Sequence, residues 1–255
     1  MTIVGKMKSA VRRATPRPVR RFVGEYLAQR WNARHEKMPV EEIFSAIYRE
    51  QRWGKSGDFS SGDGTHNPDV VQPYVEAVGK FLRSFPQPPS VVDLGCGDFH
   101  VGDQLRSGCG RYIACDVVPA LIERNKEKFA AANVDFRCLN IIEDDLPEGD
   151  VVFLRQVLQH LDNSQILRVV EKLYRYKFLV LTEHIPAAAN FPANRDKPTG
   201  GGTRLPENSG VVLTESPFLL KAKSRSVLCA TRESIGRYPG LITTMLYQFK
   251  GFRVS

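Results

Sequence analysis

The run Val91-Val92-Asp93-Leu94-Gly95-Cys96-Gly97-Asp98 constrains this chain more than any other segment. A short apolar strand ends in an acid and then meets two glycines separated by one residue. Glycine lets the backbone turn sharply and pass close to a ligand, because no side chain stands in the way. A strand that runs into a glycine turn and then into a helix-compatible segment is a βα corner, and such corners belong to sheets whose strands alternate with helices.

The rest of the chain repeats that alternation. Strands are predicted over 90–94, 111–115, 134–138, 150–154 and 178–183, with helices between them at 118–131 and 163–175. Two further strands, 226–230 and 240–249, joined by a short link, predict an antiparallel hairpin at the end of the sheet. The fold expected is α/β: a Rossmann-like, seven-stranded, mostly parallel sheet with helices on both faces and a C-terminal antiparallel hairpin, preceded by a helical N-terminal extension. Ahead of the first strand, Val40, Ile43, Phe44 and Ile47 mark a helix over 40–52, and Val71, Tyr74, Val75, Val78 and Leu82 another over 69–84. Residues 53–65 form a Gly/Ser-rich loop, either a linker or a segment that closes over a ligand.

Charge separates the arm from the body. The formal charge is +8, and residues 1–40 hold ten basic side chains against two acidic ones, so residues 41–255 balance at 26 and 26. Within that arm Val19, Phe22, Val23, Tyr26, Leu27 and Trp31 recur at helical spacing among arginines. Such a basic amphipathic helix packs on the main domain, lies on an anionic membrane surface or follows a nucleic acid backbone. Its Arg-rich, acid-poor composition also resembles a transit peptide. The domains expected are therefore an arm over 1–40 and a catalytic body over 41–255, with a helical cap at 41–84 and a polar acceptor or lid insertion at 185–215.

No apolar run approaches the roughly 20 residues of a membrane helix. The five cysteines form no CxxC pair or zinc spacing, and an odd number in a chain this long favours reduced thiols and a cytoplasmic setting.

The glycine corner predicts a nucleotide ligand, and two kinds compete for it. A dinucleotide fingerprint needs a third glycine at position 100, where this chain has His100. The corner together with its neighbours instead resembles the class I S-adenosylmethionine-dependent methyltransferases, over about residues 85–185. Asp93, Gly95 and Gly97 match the acid and DxGxG turn of that family; the further glycine common there is Phe99 in this chain.

The resemblance implies S-adenosyl-L-methionine as cofactor and gives the motifs roles. Asp116, ending the second strand 21 residues beyond Gly95 with Val117 after it, would take the ribose hydroxyls; the competing reading is a helix N-cap acid. Asn140, where relatives carry Asp, would hold the adenine amine, with Ile141 or Ile142 on the adenine face. Arg155 and Gln156, after the fourth strand, would lie beside the methionine part and the reactive methyl. Asp98 would meet the cofactor's ammonium group.

Catalytic candidates sit at strand ends, where open α/β sheets bind ligands. His160 is the first choice for a general base, with a helix-surface or capping role as its alternative. Glu183 and His184 end the fifth strand, and alternation points only one of them at the site. Glu183, His184 and Asp196 also offer ligand atoms for a divalent metal, although their spacing does not require one.

The activity expected is methyl transfer to a small-molecule or glycan acceptor, at oxygen. The alternatives are an RNA methyltransferase guided by the arm, a membrane-surface enzyme acting on a lipid-linked substrate, and a cofactor-binding module without catalysis.

Overall fold

The computed structural model describes residues 26, 30–31, 33–35, 37–54, 59–130 and 134–249. The basic arm therefore lies largely outside the described residues. Residues 30, 31 and 33–35 are helical, with the Trp31 and His35 rings stacked at 4.0 Å and His35 Nδ1 2.8 Å from the Trp31 carbonyl. Residues 1–38 form one unit and Pro39–Ser255 another.

In the second unit, three helices precede the sheet: α1 (Val40–Arg49), α2 (Asp63–His66) and α3 (Pro68–Leu82). α1 and α3 bury the apolar faces that their spacing predicts, Ile43, Phe44 and Ile47 on one and Val71, Tyr74, Val78 and Leu82 on the other. The strands and helices that follow are β1 (Ser90–Leu94), α4 (His100–Leu105), β2 (Arg111–Asp116), α5 (Pro119–Lys128), β3 (Val134–Cys138), β4 (Val151–Arg155), α6 (Asn163–Leu173), β5 (Phe178–Pro186), β6 (Ser224–Ile235) and β7 (Tyr238–Gln248).

The seven strands run in the order β3-β2-β1-β4-β5-β7-β6. β1 to β5 are mutually parallel; β7 is antiparallel to both β5 and β6, so it alone is reversed. The predicted hairpin is β6–β7, longer than its apolar cores suggest, and it turns at Gly236 with φ +61. β1, β2, β4 and β5 are buried along nearly their whole length, as expected for central strands covered on both faces. The order changes direction between β1 and β4, the switch point at which such sheets open a crevice at their carboxyl ends.

One departure from the glycine pattern acquires a physical account. Phe99 holds φ +61, the left-handed backbone that a glycine would adopt at no cost, and its ring is fully buried. It meets Tyr112, Phe129 and Phe136 edge-on at 5.5, 5.2 and 4.9 Å. A left-handed non-glycine residue costs about 1–2 kcal/mol, and burying an aromatic ring offsets that. The segment between β5 and β6 has one helical turn, Leu205–Glu207, among the described residues. No described helix is long and apolar enough to cross a membrane.

Candidate active site

A cavity of about 490 Å³ opens at the carboxyl ends of β1, β2, β4 and β5. That volume is within the range of small-molecule sites. One end is built by the glycine corner. Gly95 has φ +83 and Gly97 φ +55. The amides of Gly95 and Cys96 donate to the Cys115 carbonyl at 2.8 and 2.9 Å, which fastens the corner to β2. A Cβ at Gly95 would lie 2.4 Å from Val157 Cγ2, and one at Gly97 2.6 Å from Ser61 Oγ. The corner thus leaves no room for side chains.

Three acids surround it. Asp93 is buried and accepts from the Tyr112 hydroxyl at 2.8 Å. Burial raises its carboxyl to about 6, against the Tyr112 hydrogen bond and the nearby Arg155 guanidinium, which pull it down. Asp116 is also pushed to about 6 by burial, while the amides of Val118 and Gly97 favour its ionised form. Those amides donate to Oδ1 and Oδ2 at 3.1 Å each. Asp116 precedes the N-cap of α5, which is Val118, so the N-cap reading of this acid fails.

Asp98 is the exception. Its Oδ2 lies 2.6 Å from His66 Nε2 and its Oδ1 accepts from the His100 amide at 3.1 Å. It is not among the residues lining the cavity, and its carboxylate ties α2 to the corner instead of facing a ligand's ammonium group.

Val117, Leu139, Asn140, Ile141 and Ile142 line the cavity beyond Asp116. Asn140 Oδ1 accepts from the Ile142 amide at 3.0 Å, a local turn that sets the side chain's direction and leaves one lone pair free. On the other side of the corner, Arg155 Nη2 donates to the Gly64 carbonyl at 2.6 Å, and the guanidinium lies 5.1 Å from the centre of the Tyr74 ring. Its buried Nε has no hydrogen-bond partner in the protein. Gln156 holds φ +56 and sits against Gly64.

The remaining wall surrounds His160, in the turn Leu158–His160 after β4. Its ring lies 4.9 Å from that of Trp53 and 6.4 Å from that of Phe44. Burial lowers the imidazole to about 3, with nearby Lys197 adding to the effect, so it is neutral at physiological pH. Its Nδ1 is buried and unpartnered, whereas Nε2 lies 3.3 Å from Gln159 Nε2. Gln159 Oε1 accepts from the His184 amide at 3.3 Å, which turns the amide NH2 towards His160 and makes Nε2 the acceptor nitrogen.

β5 runs on to Pro186, past its predicted end, and of its two candidates His184 lines the cavity and Glu183 does not. His184 Nε2 lies 2.9 Å from the Glu233 carbonyl, and burial lowers its pKa. Glu183 is a correction to its candidacy as a base. Its two oxygens accept from the amides of Leu158 and Gln159 at 3.0 and 3.1 Å, behind the turn, and burial raises the carboxyl to about 8. Nor do Glu183, His184 and Asp196 converge: among the described residues no group of three His, Cys, Asp or Glu side chains is placed to hold a metal ion.

Several lining residues escape sequence reasoning. Phe44 reads only as a core position of α1, and Tyr48 and Trp53 carry no motif, yet all three line the cavity. Ser61, Gly62, Gly64 and Thr65 also line it, so the Gly/Ser-rich loop is part of the wall. The 185–215 segment reaches it through Gly201, Gly202, Thr203 and Pro206, and the Gly201 carbonyl accepts from Trp53 Nε1 at 3.0 Å.

Residues 92–176 match the family model described as a methyltransferase domain, which spans the corner, β2, β3, β4 and the whole of α6. No curated protein matches the sequence. Among solved structures, the chain is similar to the N-methyltransferase NodS from Bradyrhizobium japonicum WM9 in complex with S-adenosyl-L-homocysteine. That match has 14% identity over 80% of this chain and 99% of the other, with a TM-score of 0.58. Human N-acetylserotonin methyltransferase in complex with S-adenosylmethionine matches at 19% identity over 84% of this chain and 61% of the other, with a TM-score of 0.52. Magnesium protoporphyrin IX methyltransferase from Synechocystis PCC 6803 matches at 15% identity over 83% of this chain and 98% of the other, with a TM-score of 0.50. At these identities the three establish a shared fold.

Proposed function

We propose that this chain is a class I S-adenosylmethionine-dependent methyltransferase and that it methylates an oxygen of a small-molecule acceptor presented beside His160. The residues present fit the cofactor. Gly95 and Gly97 line the cavity at φ +83 and +55, so they bring bare backbone up to the ligand, while Val157 and Ser61 already fill the space a Cβ would take. Asp93 takes the ammonium group and Asp116 the ribose hydroxyls, both as carboxylates. Arg155, whose buried Nε lacks a partner, takes the cofactor's carboxylate. Asn140 accepts from the adenine amine, and Ile141 and Ile142 cover the ring. When bound, the cofactor supplies an activated methyl group on a sulfonium.

The chain's remaining task is alignment and, for an alcohol, removal of one proton. The observation that carries the reading is His160: a neutral imidazole at the end of β4, with Nε2 as its acceptor nitrogen, lining the cavity within an aromatic wall. The acceptor hydroxyl displaces the Gln159 amide from His160 Nε2 and gives that nitrogen its proton, while Trp53 and Phe44 exclude water from that side. The apolar rings favour an acceptor with a flat, uncharged face over a polyanion.

Titration calorimetry with S-adenosylmethionine, followed by turnover against a panel of hydroxylated small molecules, tests this reading. Expected are cofactor binding below millimolar concentration and a His160→Asn variant that binds the cofactor normally but loses about 10²–10⁴ in kcat. Absence of cofactor binding, or unchanged turnover in His160→Asn, overturns it.

A further inference from the structure

The turn Leu158–His160 is three residues long and belongs to no longer helix. Two buried side chains hold it, one through its acceptor oxygens and one through its donor nitrogens. From the β5 side, Glu183 takes its amide groups, Leu158 N–H at 3.0 Å and Gln159 N–H at 3.1 Å. From the segment between β5 and β6, Arg204 takes its carbonyls. This side chain is 1% exposed. Nη1 donates to the Leu158 and Gln159 carbonyls at 3.2 and 3.1 Å, and Nη2 donates to the Leu161 carbonyl at 2.8 Å and to Asn163 Oδ1 at 3.1 Å. Nε donates to the Arg195 carbonyl at 3.0 Å. A guanidinium has five N–H donors in a fixed fork, and each has an acceptor here.

The same segment reaches His160 directly: the Gly200 amide donates to the His160 carbonyl at 2.9 Å. It also carries Gly201, the partner of the Trp53 indole.

We propose that Arg204 is a positioning residue for His160, locking the turn against Glu183 so that the imidazole and the 199–204 wall move as one body. This inference rests on the reading of His160 as the group that meets the acceptor. It goes beyond that reading in placing the control of the imidazole in a side chain outside the cavity. A lysine cannot replace the fork: one ammonium is a point donor and leaves most of those buried carbonyls unpaired.

The test uses the full chain with ¹⁵N-labelled histidine, comparing Arg204→Lys with wild type. The imidazole is faced by Trp53, Phe44, Gln159 and Lys197, and these are unchanged in the variant. In wild type, His160 stays neutral from pH 5 to 8. In Arg204→Lys it protonates within that window, its titration moving up by about two pH units or more as the turn loosens and water enters, while affinity for S-adenosylhomocysteine stays within about twofold. Where an acceptor is turned over, kcat falls by about tenfold or more with a smaller change in KM, since a misplaced base affects the transition state more than binding. Should Arg204→Lys fail to fold, Glu183→Gln, which removes one acceptor from the other side of the turn, takes its place with the same two outcomes. A variant whose His160 titrates and turns over as in wild type overturns the proposal. A shifted titration in a protein that methylates no acceptor leaves the positioning role intact and counts against the functional reading instead.

Discussion

The Tyr112 hydroxyl donates to Asp93 Oδ2 across 2.8 Å, joining β2 to the acid that opens the glycine corner. Both groups are buried, and the hydrogen bond favours the charged form of a carboxyl that burial has raised to about 6. Asp116 has the same raised value. If Asp93 holds the ammonium group and Asp116 the diol, as proposed, both must be ionised, and cofactor affinity is expected to fall by about tenfold or more from pH 7.5 to pH 5. Tyr112→Phe removes the supporting donor and moves that loss to higher pH. Calorimetric titration of S-adenosylhomocysteine across this range reads both effects.

The glycine corner is expected to reject even one methyl group. Gly95→Ala places a Cβ 2.4 Å from Val157 Cγ2 at a φ of +83, so strain and overlap act together. The expected cost is about 1–3 kcal/mol of stability, seen as a lowered thermal midpoint, together with loss of the shift that the cofactor produces in wild type.

Trp53 is expected to separate acceptor from cofactor. Its indole N–H reaches the Gly201 carbonyl at 3.0 Å, and its ring lies beside His160. Trp53→Phe keeps an aromatic ring and removes that donor, so the wall segment loses one anchor. The measurement is steady-state kinetics. Acceptor KM should rise several-fold while the cofactor's KM holds; an equal rise in both would place Trp53 at the cofactor instead.

Glu183 gives the fold a pH dependence. Its folded-state carboxyl is raised to about 8 from 4.5. A group raised on folding contributes stability below its unfolded value, and the contribution is lost as pH rises through the folded value. The two aspartates complete the same loss by about pH 6. His160, lowered to about 3 from 6.5, works in the opposite direction and is complete by about pH 6.5. Between pH 6.5 and 7.5, Glu183 remains the principal contributor, and unfolding free energy should decline there by up to about 1.4 kcal/mol per pH unit; Lys197, lowered to about 8 from 10.5, opposes that decline as pH approaches 8. Urea unfolding at pH 6.5 and 7.5 measures the slope, and Glu183→Gln should flatten it.

How much of this was legible beforehand differs by element. β1 and β3 have the bounds their strand patterns predict, and a mostly parallel seven-stranded sheet closed by an antiparallel hairpin follows from the alternation; the strand order, with β7 between β5 and β6, does not. The cofactor side of the cavity was legible because its groups lie within a few residues of strand ends, as Asp93, Asp116 and Asn140 do. The split between His184 and Glu183 was legible only as a choice, since alternation says that neighbours face apart and not which one faces the cavity. Asp98 shows where local reasoning fails. Immediately after Gly97, it is claimed by His66, 32 positions earlier in the chain.

The sequence alone determined the elements, the parallel sheet and the position of the glycine turn, because side-chain periodicity and backbone freedom are local properties. Tertiary structure decided which side chains share the cavity with His160. Phe44, Trp53 and Gly201 come from separate parts of the chain, and they meet because α1 and the segment after β5 cover the same strand ends. It also decided the fate of the buried charges. Whether Glu183 and Arg204 act on a ligand or hold a turn depends on donors and acceptors 24 to 46 residues away in sequence, and only folding brings these within hydrogen-bond reach.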